Sequence, residues 1–526
     1  MRDADEKHDA SGPQNGIEGM LRLAARGTAI ALVGALLFTA FDFVARVLIA
    51  RNASQAEYGA FSIGFSLLNL LAITACLGLH EGVPRFIAFS RGRSEGREGT
   101  IILASLQLSL AASALLTLLF LAFAEPLAEA LHSPPAILRM FAAAVPFAVL
   151  IEMLVAFFRG FNRAEERFYF RDLLMGVLKV SLVALAAALG FFWMVAAYLL
   201  AIVLTALAFS AYAMWRLRNV VQRGGEASWA GVYGRRVRRE LLRFSLPLLV
   251  ANVASIAILR ADTLLLGYLR AARDAGLYNA AHPLAQLLRI CLNSMAFIYV
   301  PIASQLLSGG RIRELRRHYV VLTKWTFLAT FPPAALVLLF PEAVLSLIFG
   351  SGYAEAGVAL RILVAGMLFH VLLGPNVETL IVIGGTRPYM LYNLVGVALN
   401  LILNVVLIPD FGVVGAAIAS MSAVCTINTL VSLRIFHTHR IHPLAAKFLK
   451  PVAASTVVTS IVFLLVRNVI VTPLTLLLFL LSFYGVCGVC VLATSFDEDD
   501  MIILLELGRG VGIKPYLEKA LRKFQK

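Results

Sequence analysis

Fourteen apolar stretches, each about 20 residues or longer, follow one another through this sequence with only short polar joints between them. As an α-helix, a stretch of that length crosses the hydrocarbon core of a bilayer. Backbone N–H and C=O groups find no water there, so only helices and closed barrels satisfy them. The runs are continuously apolar rather than alternating, which selects the helix over the barrel strand. The expected fold class is therefore all-α, a polytopic membrane protein. Its spans are expected near 27–50, 57–82, 100–123, 140–160, 172–193, 195–215, 244–268, 277–307, 319–340, 357–383, 388–408, 412–434, 448–467 and 472–494. Hydrophobic residues make up 60% of the chain and the mean hydropathy is +0.84, too apolar for a solvated globule.

The formal charge of +15 would suggest nucleic acid in a soluble protein. Here the charge sorts by side of the membrane instead. With the N-terminus inside, the cytoplasmic segments and adjoining helix ends hold 36 of the 46 Lys and Arg residues, and the external joints hold 5. The other five, Arg46, Lys179, Arg260, Arg289 and Arg361, lie within helices. This positive-inside pattern predicts both termini in the cytoplasm and leaves no nucleic-acid role. The five cysteines all fall in apolar runs, so Cys487-Gly-Val-Cys490 is read as packing rather than a redox or metal motif. Residues 1–20 carry both signs and no apolar core, as a short tail would, not a signal peptide.

The sequence also repeats itself. A shift of 217 places Gly59 on Gly276, Pro84 on Pro301, Gly92 on Gly309, Phe123 on Phe340 and Glu125 on Glu342. A shift of 220 places Arg167 on Arg387, Tyr169 on Tyr389, Gly176 on Gly396 and Val177 on Val397. The duplicated unit holds six helices. An even number makes the two copies parallel repeats about an axis along the membrane normal, enclosing a central cavity. The expected organisation is a cytoplasmic tail (1–26), an N-half six-helix bundle (27–215), a basic cytoplasmic linker (216–243) and a C-half six-helix bundle (244–434). Two additional helices (435–494) and a cytoplasmic tail (495–526) follow.

Polar residues inside such helices are costly, about 2.5–3.5 kcal/mol for a charge at the helix centre, so each one asks for a reason. Asn279, His282, Gln286, Arg289 and Asn293 recur at helical spacing and, on a straight helix, share a stripe about 80° wide. Five polar residues on one face point to a hydrated cavity, although hydrogen bonding between helices explains one or two. The seventh span places Asn252, Ser255 and Asp262 on one stripe, with Arg260 beside it. In the first span, Asp42 and Arg46 are i, i+4 and able to pair. A shift of 218 puts Asp42 on Arg260, so both halves carry charge at a similar depth of their first helix. Cavity lining and a structural ion pair both remain open for them. Glu152 is equally open, as a proton or cation site or as a hydrogen-bonded structural group. Arg361 and Glu378, near helix ends, are read as snorkelling, and Asn393, Asn400 and Asn404 with Gly396 as helix-packing glue.

From Gly384 to Ser420 the sequence runs GGTRPYMLYNLVGVALNLILNVVLIPDFGVVGAAIAS. This stretch resembles the polysaccharide biosynthesis exporters, the lipid-linked oligosaccharide flippases of the multidrug, oligosaccharidyl-lipid and polysaccharide exporter superfamily. So do RNASQAEYGAFSIGFSLLNLLAITACLGL from Arg51, PRFIAFSRGR from Pro84, and DEDDMIILLEL near the C-terminus. The resemblance implies alternating access, with the first two helices of each half bordering a cationic cavity. That carries over here to Arg46, Arg260 and Arg289.

It further implies a polyprenyl-phosphate or pyrophosphate oligosaccharide as cargo, moved from the cytoplasmic to the external leaflet of the cell membrane. Arg would hold the phosphate while Asn and Gln meet hydroxyls. No ATP-binding loop of the G-x-x-x-x-G-K-[ST] type is present, so the expected energy source is an H+ or Na+ gradient, the membrane potential or consumption of product outside, with Asp42, Asp262 and Glu152 as the coupling candidates. Membrane lipid and glycan-assembly enzymes are the expected partners, with no cofactor and no metal. A drug/cation antiporter of the same superfamily is the alternative, and Arg289 argues against it. A glycan polymerase or ligase would need catalytic groups on a large external loop, and the external joints reach at most about 17 residues.

Overall fold

The structure is a computed structural model that describes residues 33–93, 96–163, 165–225, 232–443, 446–466 and 472–494. The tails at 1–26 and 495–526, and with them DEDDMIILLEL, lie outside the described residues. Among the described residues all regular structure is helical. Ten helices among the described residues are long and apolar enough to cross a membrane, or up to twelve if two bent pairs each count as one span.

The chain forms two compact units, Met1–Arg273 and Asp274–Lys526. In the first, α1 (Val33–Arg51) leads into α2 (Gln55–Ala75) and α3 (Leu79–Gly92). Ser54 starts α2 with a capping box: its backbone N–H donates to Glu57 Oε2 at 2.8 Å, and Glu57 N–H donates to Ser54 Oγ at 3.3 Å. The expected span 57–82 is thus two helices. The apolar run is unbroken, but Leu77 and Gly78 turn left-handed between them, at φ 50° and 72°.

Next come α4 (Glu98–Ala122), the short α5 (Ala124–Ala130) and α6 (Pro135–Gly160). They are followed by α7 (Glu165–Leu189), which contains a π-helical turn at Phe168–Leu174, α8 (Phe191–Gly225) and α9 (Val232–Leu269). Tyr58, Phe61, Phe141, Phe157, Phe158, Tyr198 and Phe209 are fully buried among them. Helix α9 packs on α2, α3 and α4. Gly78 and Gly82, one turn apart, admit it closely: a Cβ at Gly82 would come within 2.5 Å of Ser245 Oγ. By packing, then, α9 goes with the helices before it, whereas the sequence repeat groups it with those after it.

In the second unit, α10 (Ala272–Leu287) and α11 (Arg289–Ser308) occupy the single expected span 277–307. Then come α12 (Ile312–Leu339), α13 (Pro341–Phe349), α14 (Gly357–Leu372), α15 (Asn376–Val382) and α16 (Thr386–His439). Helix α16 holds two expected spans and folds back at Gly412, φ 53° and ψ −125°. A Cβ at Gly415 would meet the Leu407 carbonyl, and one at Gly396 would meet Ile427, so the two arms of α16 run antiparallel. Finally α17 (Ala446–Val466) and α18 (Pro473–Thr494) pack on α12 through Phe327, Phe331, Phe448 and Phe483.

Candidate functional site

Two polar clusters stand out, one in each unit. In the first unit Asp42 is the hub. Its Oδ1 accepts hydrogen bonds from Lys179 Nζ at 2.8 Å and from Tyr198 OH at 2.7 Å, and its Oδ2 lies 2.8 Å from Arg46 Nε. Lys179 Nζ also donates to Tyr198 OH at 2.8 Å. The i, i+4 spacing on α1 brings Arg46 to Asp42, as the sequence allows. Lys179 arrives from α7, and Gly176, one turn earlier, makes the approach possible. A Cβ at Gly176 would sit 2.5 Å from Phe41 Cδ2, so only glycine lets α7 lie this close to α1. Tyr198 comes from α8, where it is 0% exposed and wedged edge-on against Phe61 and Phe65.

The Phe65 ring joins a third cation to the group. The Arg46 guanidinium carbon lies 4.2 Å and that of Arg260 4.9 Å from its centroid, both within cation–π range. One carboxylate therefore sits among three cations in the hydrophobic interior of this unit. Arg260 follows a 56° bend in α9 between Ile256 and Leu259. Ser255 Oγ donates to Ala251 O at 2.9 Å just before it, an i−4 bond of the kind that loosens a helix.

The second cluster is a ladder along α10. Tyr278 and His282 stack at 5.3 Å, Gln286 Nε2 is 3.2 Å from His282 Nε2, and Arg289 Nη1 donates to Gln286 Oε1 at 3.5 Å. Asn279, on the same face, is 5% exposed and donates to Ala275 O of its own helix. Tyr278 OH is 3.2 Å from Ser420 Oγ on α16, where Asn400 and Asn404 continue the polar contact. Leu288, between α10 and α11, keeps helical backbone angles, φ −62° and ψ −26°, so the stripe passes on to Arg289 and Asn293 on α11, where Asn293 is exposed. The 41° bend of this span comes after Asn293, between Ala296 and Tyr299.

The other candidates are scattered. Asn252 Nδ2 is 3.4 Å from His80 Nε2, Ser255 is exposed, and Asp262 is 4% exposed. Glu152 is held by Arg171 Nη2 at 2.9 Å. Arg361 reaches Glu342 at 3.1 Å and the Leu338 carbonyl at 3.2 Å. Tyr198, Phe65 and Lys324, which is 1% exposed on α12, carried no sequence signal. Lys179 stood out only as an intramembrane charge.

The comparisons agree with this architecture. The chain is 26% identical over 193 residues to an uncharacterized membrane protein of Methanocaldococcus jannaschii, covering 36% of this chain and 38% of that protein. It is 25% identical over 206 residues to the probable low-salt glycan biosynthesis flippase Agl15 of Haloferax volcanii, covering 38% and 41%. The matched part thus spans about two fifths of the length of these relatives. Its fold is that of lipid II flippase MurJ in an inward closed conformation, with a TM-score of 0.64 at 13% identity over 87% of this chain and 97% of that one. An inward-facing multidrug resistance MATE transporter of the MOP superfamily gives 0.61 at 17% identity, over 76% and 94%. A MatE family model matches residues 247–406. The model described as polysaccharide biosynthesis protein matches residues 24–307, more than half of the 526, and the chain belongs to that family.

Proposed function

We propose that this protein flips a polyprenyl-phosphate or pyrophosphate-linked oligosaccharide from the cytoplasmic to the external leaflet of the cell membrane by alternating access. The observation that carries the reading is the cation surplus around Asp42. Arg46 and Lys179 share the Asp42 carboxylate and Arg260 lies over the same Phe65 ring as Arg46, three positive charges to one negative in a region where an unmatched charge is expensive. A lipid phosphate meets that need by charge-assisted hydrogen bonds. The Gln286, His282 and Asn279 ladder offers amide and imidazole groups of the kind that bind sugar hydroxyls, with Arg289 at its end. The Haloferax volcanii relative named a glycan biosynthesis flippase supports the same cargo class.

Coupling to H+ or Na+ would fall to a carboxylate inside the membrane, one of Asp262, Asp42 and Glu152. Asp262 is the most deeply buried of the three, at 4% exposed, whereas the side chains of Asp42 and Glu152 are 13% and 24% exposed. Asn252, Ser255 and Asn293 would line the headgroup path. Glycan-assembly enzymes would supply and consume the cargo. Multidrug antiport, suggested by the MATE-like fold, fits less well, since three cations repel cationic drugs.

The test is translocation of a labelled polyprenyl-pyrophosphate oligosaccharide in proteoliposomes, with empty vesicles and Arg289→Ala alongside the wild type. The wild type should move the lipid, and the folded variant should be at least tenfold slower, a rise of about 1.4 kcal/mol in the barrier. No movement above empty vesicles with several glycans, under an imposed ion gradient, would reject the flippase reading. A fully active Arg289→Ala would remove the α10 ladder from the site.

A further inference from the structure

A separate cavity of about 310 Å³ lies within the first unit, where the end of α3, the start of α4 and the first turns of α9 meet. Its lining is of two kinds. Phe86, Phe89, Leu241 and Phe244 line it together with Arg85, Arg93 and Arg97. Glu240 is the one acidic residue lining it among the described residues. That carboxylate is already engaged, by Arg97 Nη2 at 3.2 Å and by Arg236 Nε at 3.2 Å. Arg85, Phe89 and Arg93 are one helical turn apart in succession. The Arg85 guanidinium carbon lies 5.3 Å and that of Arg93 5.9 Å from the Phe89 ring, and Arg85 is also 4.7 Å from Phe244. The aromatic faces thus hold the guanidinium groups at the cavity while Phe89 itself is 53% exposed at its edge.

We propose that this cavity binds the phosphate of a membrane lipid. The charge distribution assigns both flanking segments, 83–99 and 216–243, to the cytoplasmic side. The cavity sits where helices end, which that assignment puts on the side of the cytoplasmic lipid headgroups. Clustered arginines suit a phosphate, and the phenylalanine rings suit the glycerol or prenyl segment beside it, a combination that a free ion does not need. Occupancy would add a phosphate between Arg85 and Arg93, beside the Arg97–Glu240 pair, and clamp the start of α9 onto α3 and α4. The site is distinct from the Asp42 cluster, and its existence does not depend on the flippase reading. Its ligand is either a bulk anionic phospholipid or the phosphate end of a polyprenyl carrier.

Native mass spectrometry of the detergent-solubilised full-length protein decides this. Phosphatidylglycerol, undecaprenyl phosphate, inorganic phosphate and uncharged diacylglycerol are added in turn. The wild type should retain at least one phosphate-bearing lipid, at least tenfold above diacylglycerol. Retention of phosphatidylglycerol identifies a bulk-lipid site, and retention of undecaprenyl phosphate alone identifies a cargo-carrier site. The double variant Arg85→Ala/Arg93→Ala should lose that retention, Arg85→Lys/Arg93→Lys should recover part of it, and Glu240→Gln should raise it. Equal retention by the wild type and the alanine variant overturns the proposal, as does equal retention of diacylglycerol. Competition by inorganic phosphate at the same concentration reduces it to an ion site and overturns the lipid assignment. If the alanine variant does not fold, unchanged retention by Glu240→Gln overturns it instead.

Discussion

Lys179 and Asp42 stand 137 residues apart in the chain and 2.8 Å apart in space, the Lys179 ammonium donating to Asp42 Oδ1 deep within the first unit. Each is a membrane charge that would be costly alone. Together with Arg46 and Tyr198 they make a closed local network that fastens α1 to α7 and α8.

Breaking one member of this network should destabilise the fold. Lys179→Met removes the charged hydrogen bonds to Asp42 Oδ1 and Tyr198 OH while Arg46 still holds Asp42 Oδ2, and should cost about 1.5–3 kcal/mol. Asp42→Asn removes the other side of the same contact, so the two losses should be less than additive, with a coupling of about 1–3 kcal/mol in a double-mutant cycle. Thermal melting of the purified variants in one detergent measures both, and strictly additive losses would refute the coupling.

Phe65 sits beside two guanidinium groups, at 4.2 Å and 4.9 Å. Phe65→Leu keeps an apolar side chain but removes the π-face under both. The expected cost is about 2 kcal/mol, taking each contact at roughly 1 kcal/mol. Phe65→Tyr should keep most of the stability, and a melting comparison of the two separates lost ring electrostatics from lost volume.

Gly176 sets the spacing between α1 and α7. Gly176→Val drives side-chain atoms into Phe41 and should cost about 1–3 kcal/mol as overpacking. Because it also draws Lys179 away from Asp42, its effect should be less than additive with Lys179→Met. Full additivity would mean that the spacing and the ion pair are independent.

Arg260 tests charge against geometry. Arg260→Lys keeps the positive charge but gives up the planar group lying over Phe65 and its fork of donors. In the proteoliposome assay it should reduce translocation by about tenfold, with Arg260→Ala lower still. Equal rates for wild type and Arg260→Lys would show that only the charge matters there.

Several parts of this protein are legible in the order of its residues. The all-helical membrane fold follows from run length, because the bilayer makes backbone hydrogen bonding a local requirement, but the runs predict fourteen spans and ten to twelve are long and apolar enough among the described residues. The Asp42–Arg46 pair is legible for the same reason, since i, i+4 contact is a property of one helix. The breaks inside spans are not. At Gly78 the apolar run continues while the backbone turns left-handed, and between Ile256 and Leu259 α9 bends by 56° inside one expected span.

Helicity and membrane-spanning length are written in the amino-acid sequence, since each depends on composition and on order along the chain. Which charges meet is settled instead by how the helices pack. Lys179, Tyr198 and Arg260 reach the Asp42 group from three different helices. Their rotation and depth are set by side-chain packing such as Gly176 against Phe41, a relation between distant segments that no local pattern encodes.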